Sequence, residues 1–376
     1  MQASERVTDM SKRLLTGLAS VISSCLIATA FAEHEWTKVD SSTIENDLWT
    51  LGASWNNGQL TLNSATPKVD GLTTLDLSEM SIGGKALNTI QAWQNKNITT
   101  VKKLVVPYQL NGFTTEVNAI PGLEEICTPD GGHELSIQGW GKSIVNKSNL
   151  AGDYVVKGIT KFGADSGGSG AFYNCPGVTG AAFIGSFPVI RENAVFLSTG
   201  VKSIAFETTA TITEIPNYVC GYWGDRGQSE VPQPVQLTSL TLNGEAMLRC
   251  ADITKVGSSV MPHAKLYTGV IDLPNCTSVG EYSFRDTGIP FINLMSVGAL
   301  GKYCFQECKD VSRVVFGAES FTSGIGTDIL SGAFTQASDA SVIWNCKTVP
   351  TFNGPCFRDL SKDTKRITNY IRKEAG

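Results

Sequence analysis

Two stretches of this chain, 21 positions apart, are near-copies of one phrase, and that echo constrains the fold more than any other feature. Val279-Gly-Glu-Tyr-Ser-Phe284-Arg-Asp-Thr287 is followed by Leu300-Gly-Lys-Tyr-Cys-Phe305-Gln-Glu-Cys308. Self-similarity at a period of about 20–30 residues marks a stacked repeat, because one such unit cannot bury its own apolar face alone. The phrase reduces to an aliphatic residue, four variable residues, Phe, two variable residues, Cys or Thr, and a following aliphatic. Decayed copies pair Phe172 with Cys175 and Val178, Phe196 with Thr199 and Val201, and Met247 with Cys250, Ile253 and Val256. Ile329 to Phe334 and Phe352 to Phe357 repeat the five-residue step, and Ile215 to Cys220 is a poorer copy.

Most anchors are followed by short alternating runs such as Leu237-Thr-Ser-Leu240-Thr-Leu242, Val270-Ile-Asp-Leu273 and Val314-Val-Phe316. Runs of this kind, bounded by Gly, Pro and Asn, read as strands. Stacked in register at about 4.8 Å per strand, roughly eight units make a parallel sheet about 35–40 Å long. The Phe and Cys positions then form ladders beneath it, with Phe172, Phe196, Phe284, Phe305, Phe334 and Phe357 in one column. Helical periodicity between the strands is weak, so short helical turns or coil are expected on the outer side.

The repeat resembles the BspA-type leucine-rich repeat, whose core is Ile-x-x-x-Ala-Phe-x-x-Cys-x-x-Leu. Gly332-Ala-Phe334, Gly170-Ala-Phe172-Tyr-Asn-Cys175 and Tyr303-Cys-Phe305-Gln-Glu-Cys308 carry the resemblance best, and it covers about residues 71–357. Met247 and Cys220 depart from it at the Phe position, and a Gly/Pro/Gln-rich insertion, 221–234, splits one unit. The resemblance implies a leucine-rich-repeat solenoid, β-rich, with parallel strands stacked in a curved sheet. It also implies a secreted or cell-surface protein, with adhesion among the roles of its relatives.

Residues 33–70 lack the repeat. Leu48-Trp-Thr-Leu51 and Gln59-Leu-Thr-Leu62, joined across Asn56-Asn57-Gly58, read as a β-hairpin that caps the first repeat, since an array needs an atypical end unit. Ahead of it, Lys12 and Arg13 precede an apolar run from Leu14 to about Ala30, and Ala30-Phe31-Ala32 is a small-x-small site. Residues 1–32 therefore read as an export signal cleaved between Ala32 and Glu33. Ile22-Ser-Ser-Cys25 is the competing lipoprotein-type site, less favoured because the apolar run continues past Cys25. No other segment approaches the 18 or so apolar residues of a membrane span, so the mature chain carries none. Residues 358–376 read as a C-terminal cap or tail.

The whole chain carries a net charge of −5, and residues 1–32 contribute +1, which leaves −6 after cleavage. A mildly acidic body offers no counterion-release term for nucleic acid. Ten cysteines in an exported chain would ordinarily suggest disulfides. Here Cys175, Cys250 and Cys308 share one repeat position with Thr199 and Thr287, which points to small buried fillers instead. A bridge between Cys304 and Cys356, or one from Cys127, stays open.

Catalytic chemistry does not assemble. Asp165-Ser-Gly-Gly168 resembles a serine-protease nucleophile loop, but none of His34, His133 and His263 stands in the setting such a base needs. Gly139-Trp-Gly-Lys-Ser143 ends like a P-loop, yet Ser136 occupies the place of its first glycine. The histidines have no metal-ligand spacing, no Cys-x-x-Cys pair exists, and no cofactor motif is present. The reading is an exported, non-enzymatic module that binds an extracellular protein or glycan. A structural envelope component and, last, a secreted hydrolase are the alternatives. Tyr222 and Trp223, aromatic in the insertion, are the binding candidates.

Overall fold

Period-two burial writes the strands of this molecule one above another. The computed structural model describes residues 34–371 apart from 94–95, 117, 142–143, 164–170, 188–189, 191–199, 218, 220–235, 247–248, 319–324, 335, 337–339 and 347–366. The fold is a β-solenoid of stacked, mostly parallel strands, with no α-helix among the described residues. Ala151–Phe162, Gly177–Gly185, Ser203–Thr208 and Ser239–Leu242 pair in parallel, in that order, within one sheet. A five-stranded parallel sheet follows, of Ile271–Asp272, Phe291–Leu294, Arg313–Ala318, Ala340–Cys346 and Ile367–Ile371. Between these long strands the chain adds short ones: Glu214–Ile215, Lys255–Val256, Ser278–Val279 and Ala299–Leu300, again all parallel.

The register stacks like on like. Ala181, Ile204 and Leu240 align, as do Phe183, Phe206 and Leu242. Further along, Ile292, Val314 and Val342 form one column and Leu294, Phe316 and Trp344 the next, all buried. A one-residue slip would turn every one of these side chains to solvent, so burial itself enforces the register. The aromatic residues group in two places. Phe172 packs with Tyr154 and Phe183 at centroid distances of 5.4 and 6.2 Å. Phe284 and Phe305 lie face to face at 5.6 Å and 7°, with Phe316 and Trp344 continuing from Phe305.

A column of glycines fixes the spacing of the turns. An added Cβ on Gly280 would lie 2.5 Å from Gly257 C and Ser258 N. One on Gly301 would lie 2.5 Å from Gly280 C and Glu281 N, and one on Gly326 within 2.7 Å of Lys302 N and Gly301 C. Past each glycine the backbone turns donate across to the next coil: Tyr282, Phe284 and Asp286 N–H groups to the Lys302, Cys304 and Gln306 carbonyls, then Tyr303, Phe305 and Glu307 to Thr327, Ile329 and Ser331. Tyr282, Asp286, Tyr303, Glu307 and Asp328 hold positive φ there, and Gly332 completes the series.

That register corrects three sequence assignments. Counting four residues on from each glycine places Met261, Phe284, Phe305 and Leu330 in one column. The copy preceding Phe284 is therefore anchored by Met261, a residue the repeat pattern passes over; Met247 lies outside the described residues. Phe334 is buried but sits four residues past Leu330, which takes the rung beside Phe305. Cys250 aligns with Leu273 and Leu294, because each stands six residues before one of Val256, Val279 and Leu300, which pair in register. Cys175 and Cys308 do share a position, and both are buried free thiols, as are Cys127, Cys250, Cys276 and Cys304. The Cys308 thiol donates to Phe284 O at 3.0 Å beside Thr287 Oγ1 at 3.3 Å, so the small polar filler is satisfied by the coil below. Phe196, Phe357 and Cys356 lie outside the described residues.

At the N-terminal end Trp49–Asn56 and Gln59–Pro67 form an antiparallel hairpin. Its turn residues Asn57 and Gly58 have φ of 49° and 88°, the pair of positive values that a type I′ turn requires. Gln59–Pro67 then pairs in parallel with Thr89–Ala92, and that strand with Gly112–Thr115, which joins the hairpin to the repeat ladder.

Candidate functional site

With the interior filled by stacked side chains, what remains for recognition is the outward half of each strand. The five-stranded sheet presents one such face. Phe291 and Arg313 are register neighbours, and the Arg313 guanidinium lies over the Phe291 ring at 5.7 Å. The next outward column runs Asp272, Asn293, Val315, Ile343, with Asn293 Nδ2 donating to Asp272 Oδ1 at 2.8 Å. Met295, 38% exposed, stands at the downstream margin. Aromatic, Met and Arg side chains on one rigid face are the types that protein interfaces concentrate.

The sheet at the hairpin end presents a face of different chemistry. The strands alternate cleanly there: Leu60, Leu62, Ile90, Ala92 and Phe113 point inward and are buried. Outward, Ser54, Thr61, Gln91 and Thr114 align across four strands, and Asn56, Gln59 and Thr89 across three. Gln59 Nε2 donates to Gln91 Oε1 at 2.9 Å, so the two amides hold each other in place. Trp93, 46% exposed, follows Gln91 at the strand end.

The titratable groups are dispersed. His34 pairs with Asp47 at 2.6 Å, His133 with Glu125 at 3.3 Å, and His263 with Asp286 at 3.0 Å, each on a different coil. Lys103 also meets Glu125 at 3.0 Å, and the His133 ring stacks on buried Tyr154 at 4.8 Å. Burial would raise the Glu125 carboxyl, but hydrogen bonds from Lys103 and His133 outweigh it and hold its pKa below the ordinary value. The neighbouring thiol, Cys127, is pushed up by burial despite Lys103, so it is not an activated nucleophile. Cys308 and Cys276 are each pushed up to about 11 by burial. Burial likewise opposes ionisation of Asp286, yet hydrogen bonds from His263 and Lys265 keep its carboxyl below the usual range. Among the described residues no three His, Cys, Asp or Glu side chains are grouped to hold a metal ion. No helix among them is long and apolar enough to cross a membrane.

Of the residues singled out from the sequence, Tyr222, Trp223, Ala32, Glu33 and the Asp165–Gly168 tetrad all lie outside the described residues. Gly139, Trp140 and Gly141 belong to the strand Glu134–Gly141, while Lys142 and Ser143 lie outside. Neither outward face was singled out in the sequence. Their signal is the neighbourhood of Phe291 with Arg313, and of Gln59 with Gln91, which emerges only once the coils are aligned.

These features define a leucine-rich-repeat solenoid, a class in which the strand faces and not a pocket carry recognition. Residues 252–372 match the family model described as the BspA type leucine-rich repeat region, in six copies, and this part of the chain is an array of that type. Among solved structures, the chain is similar to the pneumococcal vaccine antigen PcpA, with 11% identity, 89% of each chain covered and a TM-score of 0.39. It is also similar to a leucine-rich repeat protein from Bacteroides ovatus, with 12% identity, 86% of this chain and 99% of that one covered, and a TM-score of 0.31. The comparison with curated proteins gives no match.

Proposed function

We propose that this chain is a non-enzymatic binding module that acts outside the cell or on its surface and takes a protein ligand on its five-stranded sheet. The observation that carries the reading is the outward set of Arg313 over Phe291, Ile343 and Met295, grouped around Val315, which is itself buried. Backbone already held in a sheet needs less ordering on binding than a loop does, which favours a partner of matching shape. The apolar leader at 1–32 with its Ala30-Phe-Ala32 site supports export, and BspA-type repeats support a surface or secreted setting. In this organisation residues 33–70 cap the array, 71–357 form its body, and 358–376 close it.

Residues 33–376, immobilised, are to be exposed to purified extracellular matrix proteins and to cell surfaces, beside Phe291→Ala and Arg313→Ala variants. Retention of a protein ligand that either variant weakens about tenfold or more supports the reading. Retention that both variants leave unchanged, while deletion of 221–234 abolishes it, would move recognition to the insertion. Substrate turnover in hydrolase screens that Ser166→Ala abolishes would replace the binding reading with an enzymatic one.

A further inference from the structure

We infer that the sheet at the hairpin end is a second binding face, and that its ligand is a neutral glycan. The argument is one of chemical fit. Ser54, Thr61, Gln91 and Thr114 span four strands, about 14 Å at about 4.8 Å per strand, and bring only hydroxyl and amide groups. Gln59 adds a second amide and Trp93 an exposed aromatic face beside the row.

Three classes of ligand can be weighed against that inventory. A protein partner needs an apolar, desolvated centre, and interfaces are depleted in serine. Here one tryptophan stands beside a carpet of small polar groups. Anionic ligands, whether nucleic acid, phosphate or sulfated sugar, need Arg or Lys. None lies in either outward row; the sheet's charged residues, Lys38 and Glu45, stand on the two strands before the hairpin, where Glu45 pairs with Lys68, and Glu116, whose N–H bonds Ala92 O, lies past the row's other end. A neutral sugar chain matches both halves of the inventory. Its hydroxyls exchange hydrogen bonds with amides that both donate and accept, and the C–H face of a pyranose ring packs on the indole, which combines apolar area with little conformational freedom. The Gln59–Gln91 bond fixes one amide against the other, so the unused donor and acceptor of each are aimed before ligand arrives. An outward row about 14 Å long suits several sugar units of an extended chain and not one monosaccharide.

This face is separate from the Phe291–Arg313 face, so the two readings fail separately. Residues 33–376 are to be tested on an array of neutral cello-, manno- and galacto-oligosaccharides beside sialylated and sulfated glycans, with calorimetry on the best neutral binder. The expected result is binding of a neutral oligosaccharide of three or more units that persists in 0.5 M NaCl, order of magnitude as for any uncharged contact, roughly. Trp93→Ala and the isosteric Gln91→Glu should each weaken it tenfold or more, while Phe291→Ala leaves it unchanged. Trp93 is exposed, so its loss spares the fold; unaltered circular dichroism of both variants confirms that. Binding confined to sulfated or sialylated glycans, binding of no glycan, or neutral binding indifferent to Trp93→Ala and Gln91→Glu would each overturn the inference.

Discussion

Placing a single methyl group at Gly301 tests the stacking of the solenoid most directly. The new Cβ would sit 2.5 Å from Gly280 C and Glu281 N and 2.9 Å from Glu281 Cα, all of them backbone atoms. Carbon atoms in contact prefer about 3.5 Å or more, so the two coils would have to part by about 1 Å at this level. Overpacking of this kind costs about 1–3 kcal/mol. Parting the coils also strains the bonds from Gly301 N–H to Val279 O at 2.8 Å and from Gly326 N–H to Leu300 O at 2.9 Å. At about 1 kcal/mol each, those bring the expected loss to about 3–5 kcal/mol. Gly112→Ala is the control: its Cβ meets only the Thr89 side chain, Cγ2 at 3.3 Å and Oγ1 at 3.8 Å, which can move, so about 0.5–1 kcal/mol is expected. Urea unfolding followed by circular dichroism supplies the comparison, read at the first transition because repeat arrays unfold in parts. A Gly301→Ala midpoint equal to that of Gly112→Ala would refute the tight glycine column and the register deduced from it.

Phe305→Ala should destabilise by about 3–5 kcal/mol, since the ring is fully buried between Phe284 and Phe316, whereas Phe291→Ala on the outer face should stay within about 0.5 kcal/mol; urea midpoints decide. Cys175 and Cys308 should resist iodoacetamide in the native protein and react after denaturation without reductant, and a mass-mapped disulfide at either would contradict their free, buried state. Because the Asp286 carboxyl is held below its ordinary pKa, its contribution is complete above about pH 4 and is lost as the pH falls through its folded value. Wild type should therefore lose more stability than Asp286→Asn between pH 7 and pH 3, and parallel profiles would show that the His263 and Lys265 contacts contribute nothing.

How far the fold could be read from residues alone depends on which physical signal each position carries. Phe284 and Phe305 were legible because the repeat is near-perfect there, and strict spacing translates directly into a stacked pair. Asn57-Gly58 was legible because few residue pairs tolerate two positive φ values. Met247 and Phe334 were misleading for one reason: a large apolar residue at about the right distance satisfies the pattern as well as the true anchor does. Met261 and Leu330 are fixed instead by the glycines four positions before them, where close backbone approach admits no Cβ. Gly257, Gly280, Gly301 and Gly326 are therefore a stronger ruler than the aromatic residues. A missing side chain, however, gives no hydrophobic signal to notice. Cys250 followed the same error, because its alignment was measured from Met247.

The faces were illegible for a different reason. Alternation within a strand separates inward from outward residues, but it says nothing about which outward residues become neighbours. That depends on the length of chain between strands, and the lengths vary. Gln59 reaches Gln91 across 32 residues, while Arg313 reaches Phe291 across 22. Insertions leave the inward columns intact, since burial restores the register at every coil, and they leave the outward columns free to change composition from one coil to the next. An array of this kind can therefore carry amides and hydroxyls at one end and an arginine–aromatic pair at the other without any conflict in its core. Outward chemistry is where selection for a ligand can act at little cost to stability, so the two faces proposed for binding can differ without disturbing the columns beneath them.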